Sequence, residues 1–118
     1  MKKECLCKIR SIYRMIGAFE QSLQKQFGLN INEAMLLCVV NESKYISCGE
    51  IAEEMGLTNS NTSKVISSLE KKKLICRHYC KEDLRCMKFS ISAKGGELLS
   101  NITCDSVQLP NEIKHLAE

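Results

Sequence analysis

Residues 47–94 read SCGEIAEEMGLTNSNTSKVISSLEKKKLICRHYCKEDLRCMKFSISAK, and this stretch decides the fold. Ser47 and Glu50 stand three residues apart, the spacing of a capping box, which predicts the start of a short helix. Gly56 suits the left-handed residue that ends such a helix. Thr58 is a favourable N-cap for a second helix directly after the turn. The pattern therefore predicts two helices joined by a tight turn.

The second helix is expected to run to about residue 72 and to be followed by two strands, at residues 75–80 and 86–91. Alternate apolar side chains in these strands are expected to face the core, namely Ile75, Tyr79, Met87, Phe89 and Ile91. Only residues 81–85 join the two strands, so they predict a β-hairpin. A helix, a turn, a helix and a hairpin in this order indicate a winged helix-turn-helix.

The same region carries an excess of positive charge. Residues 58–94 contain nine Lys or Arg and three Asp or Glu, a local charge of +6. The remaining eight basic and eleven acidic residues amount to −3, so the formal net charge of +3 conceals a polarised molecule. One surface is therefore expected to meet phosphate groups, as in proteins that bind nucleic acid. Trp is absent, which disfavours stacking platforms for single strands.

The segments on either side are predicted to be helical. Apolar residues recur at three- and four-residue steps over residues 4–27, which indicates one long amphipathic helix. Asn30 and Glu33 repeat the capping-box spacing and start a helix whose broad apolar face, including Cys38, suggests a central buried position. Ser92 is expected to cap a later helix. A chain of 118 residues is a single domain by length, and the predicted fold is mainly α with a small β-hairpin.

Several classes of protein are disfavoured. The basic N-terminus lacks an apolar signal-peptide core and no apolar run reaches membrane-spanning length, so a cytoplasmic protein without membrane contact is expected. The eight Cys residues fall within helical and strand patterns, which indicates reduced thiols instead of a disulfide framework. Cys76 or Cys80 with His78 is the nearest approach to a catalytic pair, but no third orienting group accompanies it. We therefore expect no enzyme and no cofactor.

The first turns of the second predicted helix carry short hydrogen-bonding side chains. Such side chains reach base edges and phosphates in the major groove, and a helix N-terminus attracts anions. The candidate DNA-binding residues on this helix are Asn59, Ser60, Asn61, Ser63 and Lys64. Thr62 is expected to face partly inward, while Lys71 and Lys72 suit phosphate contacts or simply add solubility. A solvated surface helix of an unrelated bundle is the alternative interpretation.

The turn of the hairpin adds a second group of candidates. Arg85 at the tip suits the narrow minor groove, where the potential of the duplex is most negative. Asp83 is expected to hold the turn in shape by accepting hydrogen bonds from its amides or from the Arg. Lys81 and Lys88 are the expected phosphate contacts. An ordinary charged hairpin remains the alternative.

The cysteines of the hairpin suggest a possible sensor. Strand alternation places Cys76, His78 and Cys80 on one solvent-side face, and Cys86 lies across the turn from Cys80. Such a set suits a soft metal ion or a reversible disulfide, although flat sheets are poor tetrahedral cages. The pair Cys5 and Cys7 is a second candidate, either for an intersubunit disulfide or for a redox switch. The alternative is that all of these are surface residues without a role.

Short motifs follow one another in a known order along residues 29–99. They are Leu29-Asn30 with Leu37, Ile51-Ala52, Gly56-Leu57, Ser60 with Ser63, Leu69-Glu70, Leu74-Ile75, Arg77, Asp83-Leu84-Arg85 and Ile91-Ser92-Ala93-Lys94-Gly95. By these residues and their spacing the chain resembles the MarR (multiple antibiotic resistance regulator) family of winged-helix transcription regulators. The combination of the hairpin turn with the Ile-Ser-Ala-Lys-Gly helix start is the most specific part of the resemblance.

The resemblance implies a homodimer that binds a pseudo-palindromic operator in double-stranded DNA. Residues 1–28 and 96–118 would form N- and C-terminal dimerisation helices, and residues 29–95 the DNA-binding lobe. Many members are repressors relieved by a small-molecule effector, by thiol oxidation or by a metal. The chain departs from the family twice. Lys73 stands where a Gly is usual, so the second helix is expected to end differently, and the C-terminal segment, broken by Pro110, is short.

The expected function is therefore a sequence-specific DNA-binding regulator of transcription that acts as a homodimer, with possible control by a ligand or a thiol. Two alternatives use the same fold. One is a winged-helix module for protein contacts, and the other is a thiol- or metal-dependent sensor without enzymatic activity. The local positive charge of residues 58–94 favours DNA over a module for protein contacts.

Overall fold

The computed structural model describes residues 3–79 and 87–102. In chain order its elements are α1 (Lys3–Phe27), α2 (Ile31–Ser43), β1 (Ile46–Ser47), α3 (Cys48–Met55), α4 (Asn59–Lys71), β2 (Ile75–Tyr79), β3 (Met87–Ile91) and α5 (Ala93–Asn101). The predicted fold class is confirmed, since helices dominate and the strands form one small sheet. The chain divides into two units, one of which contains α1 and the other, residues 31–101, all elements from α2 to α5.

The core of the unit formed by residues 31–101 is built around α2. This helix contacts α3, α4, α5 and β3. Its Leu36, Leu37 and Val40 are fully buried, and Ile51 of α3 and Phe89 of β3 are buried as well. Each such side chain contributes about 1.5–3 kcal/mol by leaving water. The broad apolar face predicted for this segment therefore does form a central helix.

Two side chains of α2 depart from that prediction. Cys38, which the apolar pattern assigns to the core, lies exposed, and Met35 keeps 45% of its surface accessible. The reason is the helical repeat, because each residue advances by about 100° around the axis. Cys38 stands about 200° from Leu36 and so points away from the side that is packed. The predicted core position of Cys38 is wrong.

The first helix of the predicted helix-turn-helix begins and ends as its residues indicate. Ser47 is the N-cap of α3, and both hydrogen bonds of its capping box with Glu50 are present. Gly56 has a φ of 68°, and the Leu57 amide donates to the Ala52 carbonyl oxygen over 3.0 Å, which closes a Schellman motif. The turn between α3 and α4 is thus held by backbone bonds.

The end of α4 differs from the prediction. The replacement of the usual Gly by Lys73 suggested another way of ending the helix, but Lys73 itself is left-handed, with a φ of 62°. Its amide donates to the Glu70 carbonyl oxygen over 2.9 Å, and the Leu74 amide donates to that of Leu69 over 3.0 Å. This is again a Schellman motif. Burial of Leu69 and Leu74 on either side of the turn offsets the backbone cost of a non-Gly residue.

The sheet has three strands in the order β1-β3-β2, and both pairs are antiparallel. The hairpin is confirmed, with strands at Ile75–Tyr79 and Met87–Ile91; positions 80 and 86 lie outside the described residues. Sequence patterns did not predict β1, which contributes two residues and pairs Ile46 with Phe89. Ile75 and Phe89 are buried as expected, but Tyr79 is 58% exposed because it lies at the distal end of β2, past the core.

Candidate nucleic-acid interface

The inward side of α4 fixes which residues it can present to a partner. Thr62, Ile66 and Leu69 are at most 2% exposed and lie one turn apart. The Thr62 hydroxyl donates to the Thr58 carbonyl oxygen over 2.8 Å, so this polar side chain is satisfied within the helix. Thr62 was expected to face partly inward, and it is fully buried. The opposite side of α4 must therefore face outward.

Four residues form a row along that outward side. Ser60, Lys64, Ser67 and Lys71 follow one another at steps of four, three and four residues, and all are exposed. Residues at these steps lie on one face of a helix. The row alternates a hydroxyl group with an ammonium group, so it offers hydrogen bonds and positive charge along about three turns of helix. We call these four residues the outward row.

The other candidates predicted on this helix flank the outward row. Asn59, Asn61 and Ser63 are exposed, as Ser60 and Lys64 are, so all five predicted side chains of α4 reach solvent. The Asn61 amide donates to the Thr58 hydroxyl over 3.1 Å, which confirms Thr58 as the N-cap. The Asn61 side chain is not used in that bond and remains available at the first turn.

Sequence reasoning missed one member of the outward row. Ser67 was not among the candidates because it lies beyond the first two turns, where short polar side chains cluster. It lines a shallow open depression together with Ser63, Lys64, Ser68 and Lys71. The signal that was available is the spacing of Ser67 from Lys64, which equals one helical turn.

Among the described residues of the positive segment, Lys72 and Arg77 form ion pairs within the protein. Lys72 forms a 2.7 Å ion pair with Glu33, which is buried in α2. Arg77 binds Glu70 through two nitrogens, with Nη2 at 2.6 Å and Nε at 3.1 Å. Its hydrogen bond to Glu70 raises the pKa of Arg77 above its ordinary value. Glu70 is already subtracted in the local charge of +6, but Glu33 lies outside residues 58–94, so the ion pair of Lys72 lowers the charge that this surface presents.

The wing is described only in part. Lys88 is exposed in the central strand β3, where it stands between Ser47 of β1 and His78 of β2. Lys81, Asp83 and Arg85, the other candidates of the wing, lie outside the described residues. Their assigned roles at the minor groove and at phosphates stay predictions.

The face of the sheet that carries Lys88 also carries the predicted thiol and imidazole candidates. Cys76 is exposed and pairs with Ser90 across the strands. His78 Nε2 lies 2.7 Å from the Ser90 hydroxyl, and its ring meets that of Tyr45 edge-on with centroids 5.1 Å apart. The imidazole is thus engaged by a hydroxyl and a phenol ring.

The metal-binding interpretation gains no support from the described part of the chain, which contains no group of three His, Cys, Asp or Glu residues close enough to hold an ion. Cys80 and Cys86 lie outside that part. Cys5 and Cys7 are exposed on α1, but residues two apart on a helix point to different sides. These two thiols therefore do not face each other. Cys48, which sequence reasoning passed over, lies with its sulfur 3.7 Å from the hydroxyl of Ser63 on α4.

Helix α1 carries an exposed apolar stripe of its own. Five large apolar side chains along its first half are between 40% and 78% exposed, namely Leu6, Ile9, Ile12, Tyr13 and Ile16. Exposed apolar side chains in a contiguous row mark an interaction surface more often than isolated ones do. Over the described residues, no helix combines the length and the apolar content needed to cross a membrane.

Comparison with known proteins agrees with this geometry. The MarR family model matches residues 29–87. The HTH-type transcriptional regulator PapX of Escherichia coli is 28% identical, and the match covers 70% of this chain and 61% of PapX. The chain therefore spans about three fifths of the length of that relative.

Solved structures share the fold. The S. aureus MepR–DNA complex superposes with a TM-score of 0.78 at 21% identity, covering 99% of this chain and 82% of MepR. The transcriptional regulator BldR from Sulfolobus solfataricus gives a TM-score of 0.70 at 22% identity, covering 99% of this chain and 95% of BldR. At these identities the likeness concerns the fold alone. Because the family model matches half of the sequence, from just before α2 to the start of β3, the chain belongs to the MarR family.

Proposed function

We propose that this chain is a sequence-specific DNA-binding regulator of transcription that inserts α4 into the major groove. The observation that carries the proposal is the outward row Ser60, Lys64, Ser67 and Lys71, which stands opposite the buried side of the helix. An α-helix about 10–12 Å across fits a major groove about 12 Å wide. Hydroxyl and amide groups on the first turns then meet base edges, while Lys64 and Lys71 meet base edges or phosphates.

The wing completes the proposed interface. Arg85 enters the minor groove beside the site of α4, where negative potential is concentrated, and Asp83 holds the turn that presents it. Lys81 and Lys88 bind phosphates of the backbone. Lys88 supports this arrangement because it is exposed on the central strand of the sheet.

The proposed active species is a homodimer on a pseudo-palindromic operator. The apolar stripe of α1 supports a second copy of the chain as the partner, since Ile9, Ile12 and Ile16 repeat at the three- and four-residue steps of a coiled-coil seam. Residues 1–28 and 96–118 supply the dimerisation helices in this proposal. Each copy reads one half-site, and a two-fold symmetric dimer requires half-sites about one or more helical turns apart, roughly 34 Å per turn.

Repression is the proposed sign of regulation, because a protein that occupies its operator blocks the polymerase unless an effector releases it. The MepR structure contains DNA, and PapX is named a transcriptional regulator, which supports the proposal without assigning an operator. A protein with this function acts on chromosomal DNA, so we expect the protein to be located in the cytoplasm. The proposal describes a binding protein and not an enzyme.

The experiment is selection of duplexes from a random DNA library, followed by titration of the selected duplex at several salt concentrations. We expect the logarithm of the affinity to fall with the logarithm of salt by about 0.9 for every phosphate contact. The variant Lys64→Ala should weaken binding several-fold, whereas Lys25→Ala, which removes the same charge from α1, should have little effect. Salt-insensitive binding, or equal losses in both variants, would reject DNA recognition by α4 and favour a module for protein contacts.

A further inference from the structure

Glu33 is a buried carboxylate that joins α2 to α4. The residue is 2% exposed, and its Oε2 accepts hydrogen bonds from the Ser68 hydroxyl over 2.8 Å and from the Lys72 ammonium over 2.7 Å. Ser68 and Lys72 lie four residues apart, one above the other on successive turns at the C-terminal end of α4. One carboxylate group therefore holds two turns of the helix that carries the outward row.

The physical nature of this contact differs from that of the surrounding core. Burial of Ile66 and Leu69 drives α4 onto α2, but hydrophobic attraction is non-directional and tolerates a small slide or rotation of one helix on the other. Hydrogen bonds to a carboxylate require defined distances and angles. An ion pair of this kind, with the Glu33 side chain buried and the Lys72 side chain 39% exposed, often adds little stability, so its stronger effect is on geometry.

We propose that Glu33 is a positioning residue for DNA recognition, which sets the rotation and axial position of α4 through Ser68 and Lys72. The inference rests on the proposed function of the outward row. Each residue occupies about 100° of the helix surface, so a rotation of a fraction of that angle already turns Ser60, Lys64 and Ser67 away from the base edges. Lys72 acts as the internal partner of Glu33 and not as a phosphate ligand.

A matched pair of variants separates position from charge. Glu33→Gln and Glu70→Gln each remove one negative charge and each deprive one basic side chain, Lys72 or Arg77, of its ion pair at α4. Charge alone would strengthen binding to DNA in both variants. We expect Glu70→Gln to bind the selected duplex at least as tightly as wild type does. We expect Glu33→Gln to bind it about tenfold more weakly, because a binding site whose side chains are loosened by a fraction of an ångström loses affinity. Equal or stronger binding by Glu33→Gln would overturn the proposal.

The double variant Glu33→Met/Lys72→Met separates position from stability. It keeps the net charge of wild type and replaces the ion pair by apolar side chains, a change that commonly preserves or raises stability. We expect a melting temperature close to that of wild type and an affinity about tenfold lower. Recovery of wild-type affinity overturns the proposal.

A measurement without DNA keeps the inference separate from the proposed function. In nuclear magnetic resonance spectra of the double variant Glu33→Met/Lys72→Met, the amide resonances of residues 59–64 should shift. These residues form the first turns of α4 and lie away from both substitutions. In Glu70→Gln the shifts should stay near residue 70. If wild type binds no duplex, the proposed function fails while these resonances still test Glu33. Unchanged resonances at residues 59–64 would overturn the positioning role whatever the DNA result.

Discussion

The Ser92 hydroxyl donates a 2.7 Å hydrogen bond to the carbonyl oxygen of Lys73, which joins the start of α5 to the left-handed residue that ends α4. The Gly95 amide donates to the same hydroxyl over 3.0 Å, and Lys94 Nζ donates to the Lys72 carbonyl oxygen over 3.2 Å. The last carbonyl groups of a helix have no partner within it. Here the next helix supplies those partners, so the end of α4 is fixed by α5.

The left-handed conformation of Lys73 predicts that Lys73→Gly stabilises the protein. A non-Gly residue in this conformation costs about 1–2 kcal/mol, and part of the gain is lost because Gly is freer in the unfolded chain. We expect the free energy of unfolding, measured with urea, to rise by about 1 kcal/mol. Gly56→Ala is the reverse experiment at the other Schellman motif, where φ is 68°. This substitution should lower the free energy of unfolding by about 1 kcal/mol. A loss of stability in Lys73→Gly would contradict the assigned backbone conformation.

The contact between Gly95 and Leu74 predicts a severe effect of a single methyl group. Gly95 is buried in α5, and a Cβ atom there would clash with the Leu74 carbonyl oxygen. Because that obstacle is backbone, relief requires α5 to move, and Gly95→Ala should cost about 1–3 kcal/mol or more. Gly96→Ala is the control, since its Cβ meets nothing within 4 Å and helix propensity favours Ala by up to about 1 kcal/mol. Thermal unfolding followed by circular dichroism distinguishes the two, and equal melting temperatures would refute the close contact.

The capping box of α3 predicts a dependence of stability on pH. The Ser47 hydroxyl and amide both donate to Glu50 Oε1, over 2.8 Å and 3.2 Å, and these bonds hold the pKa of Glu50 below its usual value, with a smaller effect of Lys88. A carboxyl group whose pKa is lowered in the folded state stabilises the fold at pH values above the pKa that the group has in the unfolded chain, about 4.3. This stabilisation disappears as the pH falls through the pKa of the folded state.

Glu50→Gln should therefore be less stable than wild type at neutral pH, and the difference should shrink toward about pH 3. Urea unfolding at several pH values measures this difference. In the Ser47→Ala background the same substitution should show a smaller pH effect, because the largest cause of the lowered pKa is gone. A difference that grows as pH falls would contradict a lowered pKa of Glu50 in the folded protein.

The neighbourhood of Cys38 predicts slow thiol chemistry. Although Cys38 is an exposed residue, partial burial of its thiol raises the pKa of that group. The charge of Glu42, together with a 3.7 Å hydrogen bond to its carboxylate, raises the pKa further. Since the thiolate is the nucleophile, Glu42→Gln should speed alkylation of Cys38 by iodoacetamide about threefold. Mass spectrometry of the peptides measures the rate, with Cys76 as the internal control. An unchanged rate at Cys38, or an equal change at Cys76, would reject the influence of Glu42.

Local hydrogen bonding explains which elements were predictable. Ser47, Thr58 and Gly56 act on amides within a few residues of themselves, so their caps could be read directly and the helices begin and end where they indicate. The hairpin was also predictable, because its two strands are close to each other along the chain. The candidate residues on α4 were proposed mainly from their short polar side chains; the structure shows that they are exposed, and their contact with DNA stays a prediction. The role of Arg85 and its neighbours on the wing stays a prediction.

Contacts between distant segments explain what was missed. The strand β1 has two residues and exists because Ile46 meets Phe89, which no local pattern records. Tyr79 alternates with buried residues yet is exposed, since the core ends before it. Lys72 lies among basic residues that suit phosphates, but its partner is Glu33, 39 residues away.

The amino-acid sequence by itself determined the order of the helices and of the two hairpin strands, the caps and the excess of positive charge over residues 58–94, because these depend on neighbours along the chain. Only the tertiary structure decided which charges remain at the surface, which of the α4 side chains form one outward row and how that helix is held. Those properties depend on the packing of α4 against α2 and on the hydrogen bonds between the end of α4 and the start of α5. The residues concerned are far apart in sequence and are brought together only by burial of the shared core.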